Sequence, residues 1–121
     1  MSHITKYKIN MVSMEALKRS LKTMGFNAVE DKLKGYNSAT SKTDITLKEH
    51  PSLGFLKEEN GSINFVGDFY GTGLNEKEFM SKLKSEYTYA ELKKSLQSNP
   101  NIKVVKESRS GNKIQIRCSY Q

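Results

Sequence analysis

Apolar residues recur along this chain with two periods, and the switches between them mark the elements. From Met14 the spacing is three to four. Met14, Leu17, Leu21 and Met24 form one stripe of a helix, with Lys18, Arg19 and Lys22 on its back. Ser13 suits an N-cap, and Glu15 in the first turn complements the helix dipole. The phrase recurs: SMEALKRSL (13–21) is nearly repeated as TYAELKKSL (88–96). In the second copy Tyr89, Leu92 and Leu96 form the stripe and Lys93 and Lys94 face away. Thr88 and Glu91 fit a capping box, with Tyr87 and Leu92 as its hydrophobic staple. Upstream, Asn75 opens a further capping pattern, NEKE, before a stripe of Phe79, Met80, Leu83 and Tyr87. At about 100° per residue the two stripes differ by roughly half a turn. The phase shift predicts a break near Tyr87–Thr88 and two helices. A single long helix packed on two sides is the alternative.

Period-two segments surround these helices. Ile4 to Met11 reads as an imperfect strand, and so does Ser62 to Tyr70; each precedes a helix. After the helices, MGFNAVEDKLKG (24–35) matches NPNIKVVKESRSG (99–111) once one residue is inserted. Phe26 then pairs with Ile102, Val29 with Val105, Asp31 with Glu107 and Gly35 with Gly111. A second strand follows in each half, at Thr43–Lys48 and Lys113–Ser119. In the latter, Ile114, Ile116 and Cys118 alternate with Gln115, Arg117 and Ser119, predicting one buried and one wet face. Gly111-Asn112 suits a tight hairpin turn, and Tyr36–Ser41 is a longer polar loop. Glu59-Asn60-Gly61 predicts a hairpin between Gly54–Lys57 and Ile63–Phe69. The expected fold is α+β: an antiparallel sheet with two to three helices on one face, built from pseudo-duplicated β-α-β-β units within a single domain, 1–121.

Composition narrows the class. With 36% hydrophobic and 27% charged residues the chain is polar but patterned, which excludes disorder as its general state. The formal charge is +7 and it is spread. The first fifty residues hold nine basic and five acidic groups, the rest eleven and eight. Such charge fits either a lysine-rich solvated surface or a weak preference for anionic partners. A lone cysteine, Cys118, excludes an intrachain disulfide and points to a reducing compartment. No apolar run approaches a membrane span and the N-terminus lacks a signal-peptide core, so a soluble protein, mature as written, is expected.

Candidate chemistry is sparse. Gly67, Gly71 and Gly73 match neither dinucleotide nor Walker spacing; they are expected to end a strand and turn the chain toward Asn75. His3 and His50 are the only histidines, and no spacing joins them to Asp44 or Asp68 as metal ligands. Cys118, in phase with Ile114 and Ile116, is expected to be a small core hydrophobe rather than a nucleophile. No catalytic constellation stands out, so neither an enzyme, a cofactor nor a metal is expected.

Three segments carry a resemblance. They are MSHI, GFLKEENGSINFVGDFYG, and YTYAELKKSL with IKVVKESRSGNKIQIRCSY. In this order, across most of the chain, they resemble the hypothetical chloroplast reading frame thirty-five family, a domain of unknown function of plastids and cyanobacteria. The aromatic pair in Gly67-Asp68-Phe69-Tyr70-Gly71 and the Tyr87-x-Tyr89 motif are the most specific matches. The family's Trp in the aromatic pair and its Arg-Arg-Trp-like end are replaced here, the latter by Arg117-Cys118-Ser119-Tyr120. The resemblance implies a cytoplasmic or plastid-stromal setting in a photosynthetic cell, or the host cytoplasm for a virus of such a cell. It brings no known activity.

Two functional classes are therefore expected. The first is a small non-enzymatic accessory protein with a protein partner, or a homo-oligomer, using Tyr70, Tyr87 and Tyr89 as anchors. The second is nucleic-acid binding through helix cations, Lys18, Arg19, Lys22, Lys93 and Lys94, with Arg109 and Arg117 nearby in sequence.

Overall fold

The computed structural model describes residues 4–34, 40–111 and 113–120. In chain order the elements are β1 (Thr5–Met11), α1 (Met14–Thr23), β2 (Ala28–Val29), β3 (Leu33–Lys34), β4 (Thr40–Ser41), β5 (Ile45–Leu47), β6 (Leu53–Lys57), β7 (Ile63–Gly67), α2 (Glu76–Gln97), β8 (Ile102–Ser110) and β9 (Lys113–Tyr120). The fold is α+β, as expected, with two helices. Five antiparallel strands form the main sheet in the order β1-β7-β6-β5-β2. Two ribbons stand outside it, β3-β4 and β8-β9.

Local rules set the helix ends. Ser13 Oγ accepts the Ala16 N–H at 3.1 Å. Gly25 closes α1 at φ 94°, and the Phe26 N–H returns to the Leu21 carbonyl while Gly25 N–H reaches Lys22. This left-handed cap satisfies carbonyls the helix would otherwise orphan. Asn75 Oδ1 accepts from the Glu78 N–H at 3.0 Å, so NEKE does open α2. The strands turn where glycine was read. Gly61 takes φ 90° between β6 and β7, and Gly111 takes φ 60° between β8 and β9. Asn112, Gly35, most of the polar loop at 36–41 and His3 lie outside the described residues.

Side chains from α1, α2 and one face of the sheet bury together: Leu17 and Leu21, Phe79 and Leu83, and Ile45, Leu47, Leu53, Phe55, Ile63 and Phe65. Phe65 meets Phe55 edge-on and stacks on Phe69, which in turn meets Phe79 edge-on. The aromatic layer needs Gly67. A Cβ there would lie 2.6 Å from Phe65 Cζ and 2.9 Å from the Ser52 carbonyl oxygen.

One expectation is corrected and another is refined. Thr88 starts no helix, because α2 runs unbroken from Glu76 to Gln97, about 33 Å. Its two opposed stripes serve two neighbours. Phe79, Leu83, Tyr87 and Ala90 are buried in the core, while Tyr89 and Leu92 line a groove with Ile114 and Ile116 of β9. Both halves keep the order strand, helix, hairpin, since β2 pairs with β5 as β8 pairs with β9, but the two hairpins are placed differently. β1 with α1 and β7 with α2 lie side by side, through the β1-β7 pairing and the packing of α1 on α2. The strands after each helix then diverge: β2 joins the edge of the main sheet beside β5, whereas β8 pairs only with β9. Phe26 accordingly packs against the core, and its assigned counterpart Ile102 sits in the separate ribbon.

Candidate macromolecular interface

The β8-β9 ribbon is the element whose placement local sequence did not announce. It leans on the outer side of α2 and is held there by a polar clamp. Arg109 Nη1 donates to Glu86 Oε2 at 2.5 Å, and the Glu86 side chain is 7% exposed. One turn along, the Tyr89 hydroxyl donates to Glu107 Oε2 at 2.6 Å and accepts from Lys93 Nζ at 3.1 Å. Lys93 Nζ also lies 3.3 Å from Glu107 Oε1. The Arg109 guanidinium sits over the Tyr89 ring, 5.0 Å from its centroid. These contacts tune the groups involved. The Tyr89 hydroxyl, followed by the Lys93 ammonium, holds the Glu107 carboxyl below its ordinary range. Lys93 is raised by its hydrogen bonds to Tyr89 and then Glu107, and Arg109 by its bond to Glu86.

A bulge decides what the ribbon shows to solvent. Val104 pairs with Cys118, and the next pair is Lys106 with Arg117, leaving Val105 unpaired and 57% exposed. Were Val105 paired in regular register, strict alternation from Val104 would turn Lys106 inward and Glu107 outward. With it, Glu107 and Arg109 share the helix-facing side with Ile114 and Ile116, their cross-strand partners. The opposite side then carries Lys103, Lys106, Lys113 and Arg117, with Ser108 opposite Gln115 between them. All are exposed, and Lys106, Ser108, Gln115 and Arg117, with Ile116, line an open depression of about 520 Å³. Among the described residues none of the four cations has an ion-pair partner.

The residues singled out from sequence fall in different places. Tyr70 is 58% exposed in the loop after β7, its N–H accepted by Asp68 Oδ1 at 3.0 Å. Tyr87 is not a surface anchor: it is 8% exposed, and its hydroxyl accepts the N–H groups of Val12 and Ser13, each at 3.0 Å. It ties α2 to the start of α1. Tyr89 and Lys93 belong to the clamp. Arg19 pairs with Glu15 at 3.3 Å. Lys18, Lys22 and Lys94 are exposed on their helices. Between the helices, Arg19, Tyr89 and Lys93 share a groove of about 290 Å³. Cys118 is exposed rather than core, because the ribbon's inner side is only partly covered by α2. Asp44 accepts the Lys57 N–H, and His50 meets the Phe26 ring edge-on, so each has a structural partner. Gly71 and Gly73, both at positive φ, flank Thr72, whose hydroxyl donates to the Phe69 carbonyl; they turn the chain toward Asn75.

Sequence reasoning passed over Lys103, Lys106 and Lys113. Their signal was present, since Glu107 is the only acidic residue after Glu91 while five cations follow position 100. The bulge that sorts them was not visible.

The fold and this site define a small α+β protein whose two-helix, five-stranded body carries an appended basic β-ribbon. The chain belongs to the family described as "Protein of unknown function (DUF1257)", whose model matches residues 20–116, about four-fifths of the chain. The match takes in the end of α1, all of α2, all of β8 and the first half of β9. No curated protein and no solved structure matches. No helix among the described residues is long and apolar enough to cross a membrane.

Proposed function

We propose that this protein works by binding rather than by catalysis, and that it holds a macromolecular partner on the β8-β9 ribbon. The observation that carries this is the clamp. A ribbon of nine and eight residues lies outside the main sheet, yet Glu86, Tyr89 and Lys93 fix it on α2 in one orientation. A buried carboxylate held by one arginine costs desolvation, and its best-attested use is to impose a unique arrangement. Here the arrangement displays one face of the ribbon. The setting that goes with this reading is a photosynthetic cell (a plastid, a cyanobacterium or a virus of one), and the resemblance to the chloroplast reading frame family supports it.

A second site has an observation of its own. The exposed Tyr70 ring, on a loop held by Asp68 and Thr72, is the kind of rigid aromatic that anchors protein partners. Photo-crosslinking in the native host separates the two. The full chain would carry a photoreactive residue at Gln115, at Tyr70, or at Lys48 as a remote control. Adducts concentrated at Gln115 are the expected result. Adducts at Tyr70 alone would move the interface to that loop, and equal labelling at all three would overturn the binding role.

A further inference from the structure

We infer that the outward face of the ribbon docks double-stranded DNA, laying Lys103, Lys106, Lys113 and Arg117 against its phosphates. The inference rests on the binding role proposed above and names the partner. Three observations carry it. First, charge is sorted. The bulge at Val105 sends the ribbon's own carboxylate, Glu107, to the helix side, where Tyr89 and Lys93 hold it, and leaves four cations outward. Those four equal more than half of the chain's formal +7. Second, Lys106 and Arg117 lie directly opposite each other on one face. Like charges in that relation oppose strand pairing. Among the described residues neither has an ion-pair partner, which leaves both open to an external anion. Third, the face lacks protein-docking chemistry. Its paired positions present only Lys, Arg, Ser and Gln; the apolar contributions beside them are the bulged Val105 and Ile116 in the depression, and none of these is the aromatic anchor that protein interfaces favour at their centre.

Shape selects the duplex. A two-stranded ribbon fits the major groove of B-form DNA, about 12 Å wide, whereas the major groove of A-form RNA is too narrow for side chains to read. Lysine and arginine at the ribbon's two ends and middle suit phosphate contact. Ser108 and Gln115, paired between them, supply polar groups toward the groove. Binding of this kind is dominated by counterion release and tolerates many sequences.

Fluorescence anisotropy of the full chain with a labelled DNA duplex of about 20 base pairs, across salt, tests this. Four phosphate contacts predict a log–log salt slope between about −3 and −4, a loss of roughly a hundredfold from 50 to 200 mM salt. Lys113→Gln and Arg117→Gln should each lower the slope by about one. Lys106→Glu should weaken binding at least about tenfold at low salt without unfolding the ribbon, because it converts the like-charge pair into an attractive one. Lys18→Gln with Lys22→Gln on α1 should leave the slope unchanged. Absent duplex binding at low salt, slope loss from the α1 variants instead, or tighter binding to an RNA duplex or a single strand would each overturn the inference. If the duplex is not bound but Gln115 crosslinks to a protein, this inference fails while the binding role stands. If neither occurs, both fail.

Discussion

Single side chains hold this fold at points where no neighbour can substitute. Tyr87 is one. Its ring is part of the core, and its hydroxyl takes two backbone N–H groups at the entry to α1. Tyr87→Phe keeps the ring and removes both acceptor bonds, so urea unfolding should show a loss of about 1–3 kcal/mol. Gly67 matters for the side chain it lacks. Alanine there must displace both the Phe65 ring and the Ser52 carbonyl, and overpacking of this kind costs about 1–3 kcal/mol, again by denaturation. Asn10, at φ 57° in the irregular end of β1, occupies the left-handed conformation that asparagine tolerates better than most residues. These roles were half legible. The aromatic character of Tyr87 and its helical phase were plain, but its hydroxyl partners lie about seventy-five positions away and no local pattern predicts them.

Between elements, α2 is the pivot. One side closes the core and the other carries the ribbon, so the clamp should have its own stability. Arg109→Gln leaves Glu86 without its guanidinium. Amide exchange in β8 and β9 should then accelerate by roughly an order of magnitude or more, while the β6-β7 amides keep their protection. The clamp also predicts pH behaviour. Glu107 has a folded value below its unfolded one, so its contribution is fully present above the ordinary carboxylate range. It is lost as pH falls through the depressed value. Lys93 is raised, so its contribution holds below the ordinary lysine value and is lost as pH rises through the folded one. Ribbon amides should therefore lose protection as pH falls below the ordinary carboxylate range, and Glu107→Gln should remove that dependence. The readout must be local to the ribbon, because Glu49, bound by the Asn27 N–H, and Glu58, bound by Lys6, are lowered elsewhere. From sequence, the two stripes of α2 were visible and their meaning was not. A half-turn phase shift is the same pattern whether a helix breaks or is packed from both sides.

The molecule as a body keeps its strong packing and its charge apart. The apolar cluster lies between the five-stranded sheet and the helices, and four cations without ion-pair partners among the described residues lie on the ribbon beyond them. Function and stability should then trade against each other on that ribbon. Lys106→Glu should raise the unfolding midpoint slightly, by on the order of 0.5 kcal/mol, since it replaces a repulsive cross-strand pair. The same change should abolish the steepest part of the salt-dependent binding. A variant both more stable and less able to bind would mark the face as shaped for a ligand.

What the sequence determined by itself was local. The caps at Ser13 and Asn75, the turns at Gly61 and Gly111, the stripes of both helices and the α+β class all follow from residues within a few positions of one another. Hydrogen bonds and sterics at that range need no partner from elsewhere. Tertiary structure alone decided that α2 stays whole, that β2 joins the main sheet while β8 does not, that Tyr87 is interior and Cys118 exterior, and that Lys106 faces out while Glu107 faces in. Each depends on what packs opposite, and the last on a single bulged residue that reverses every side chain after it.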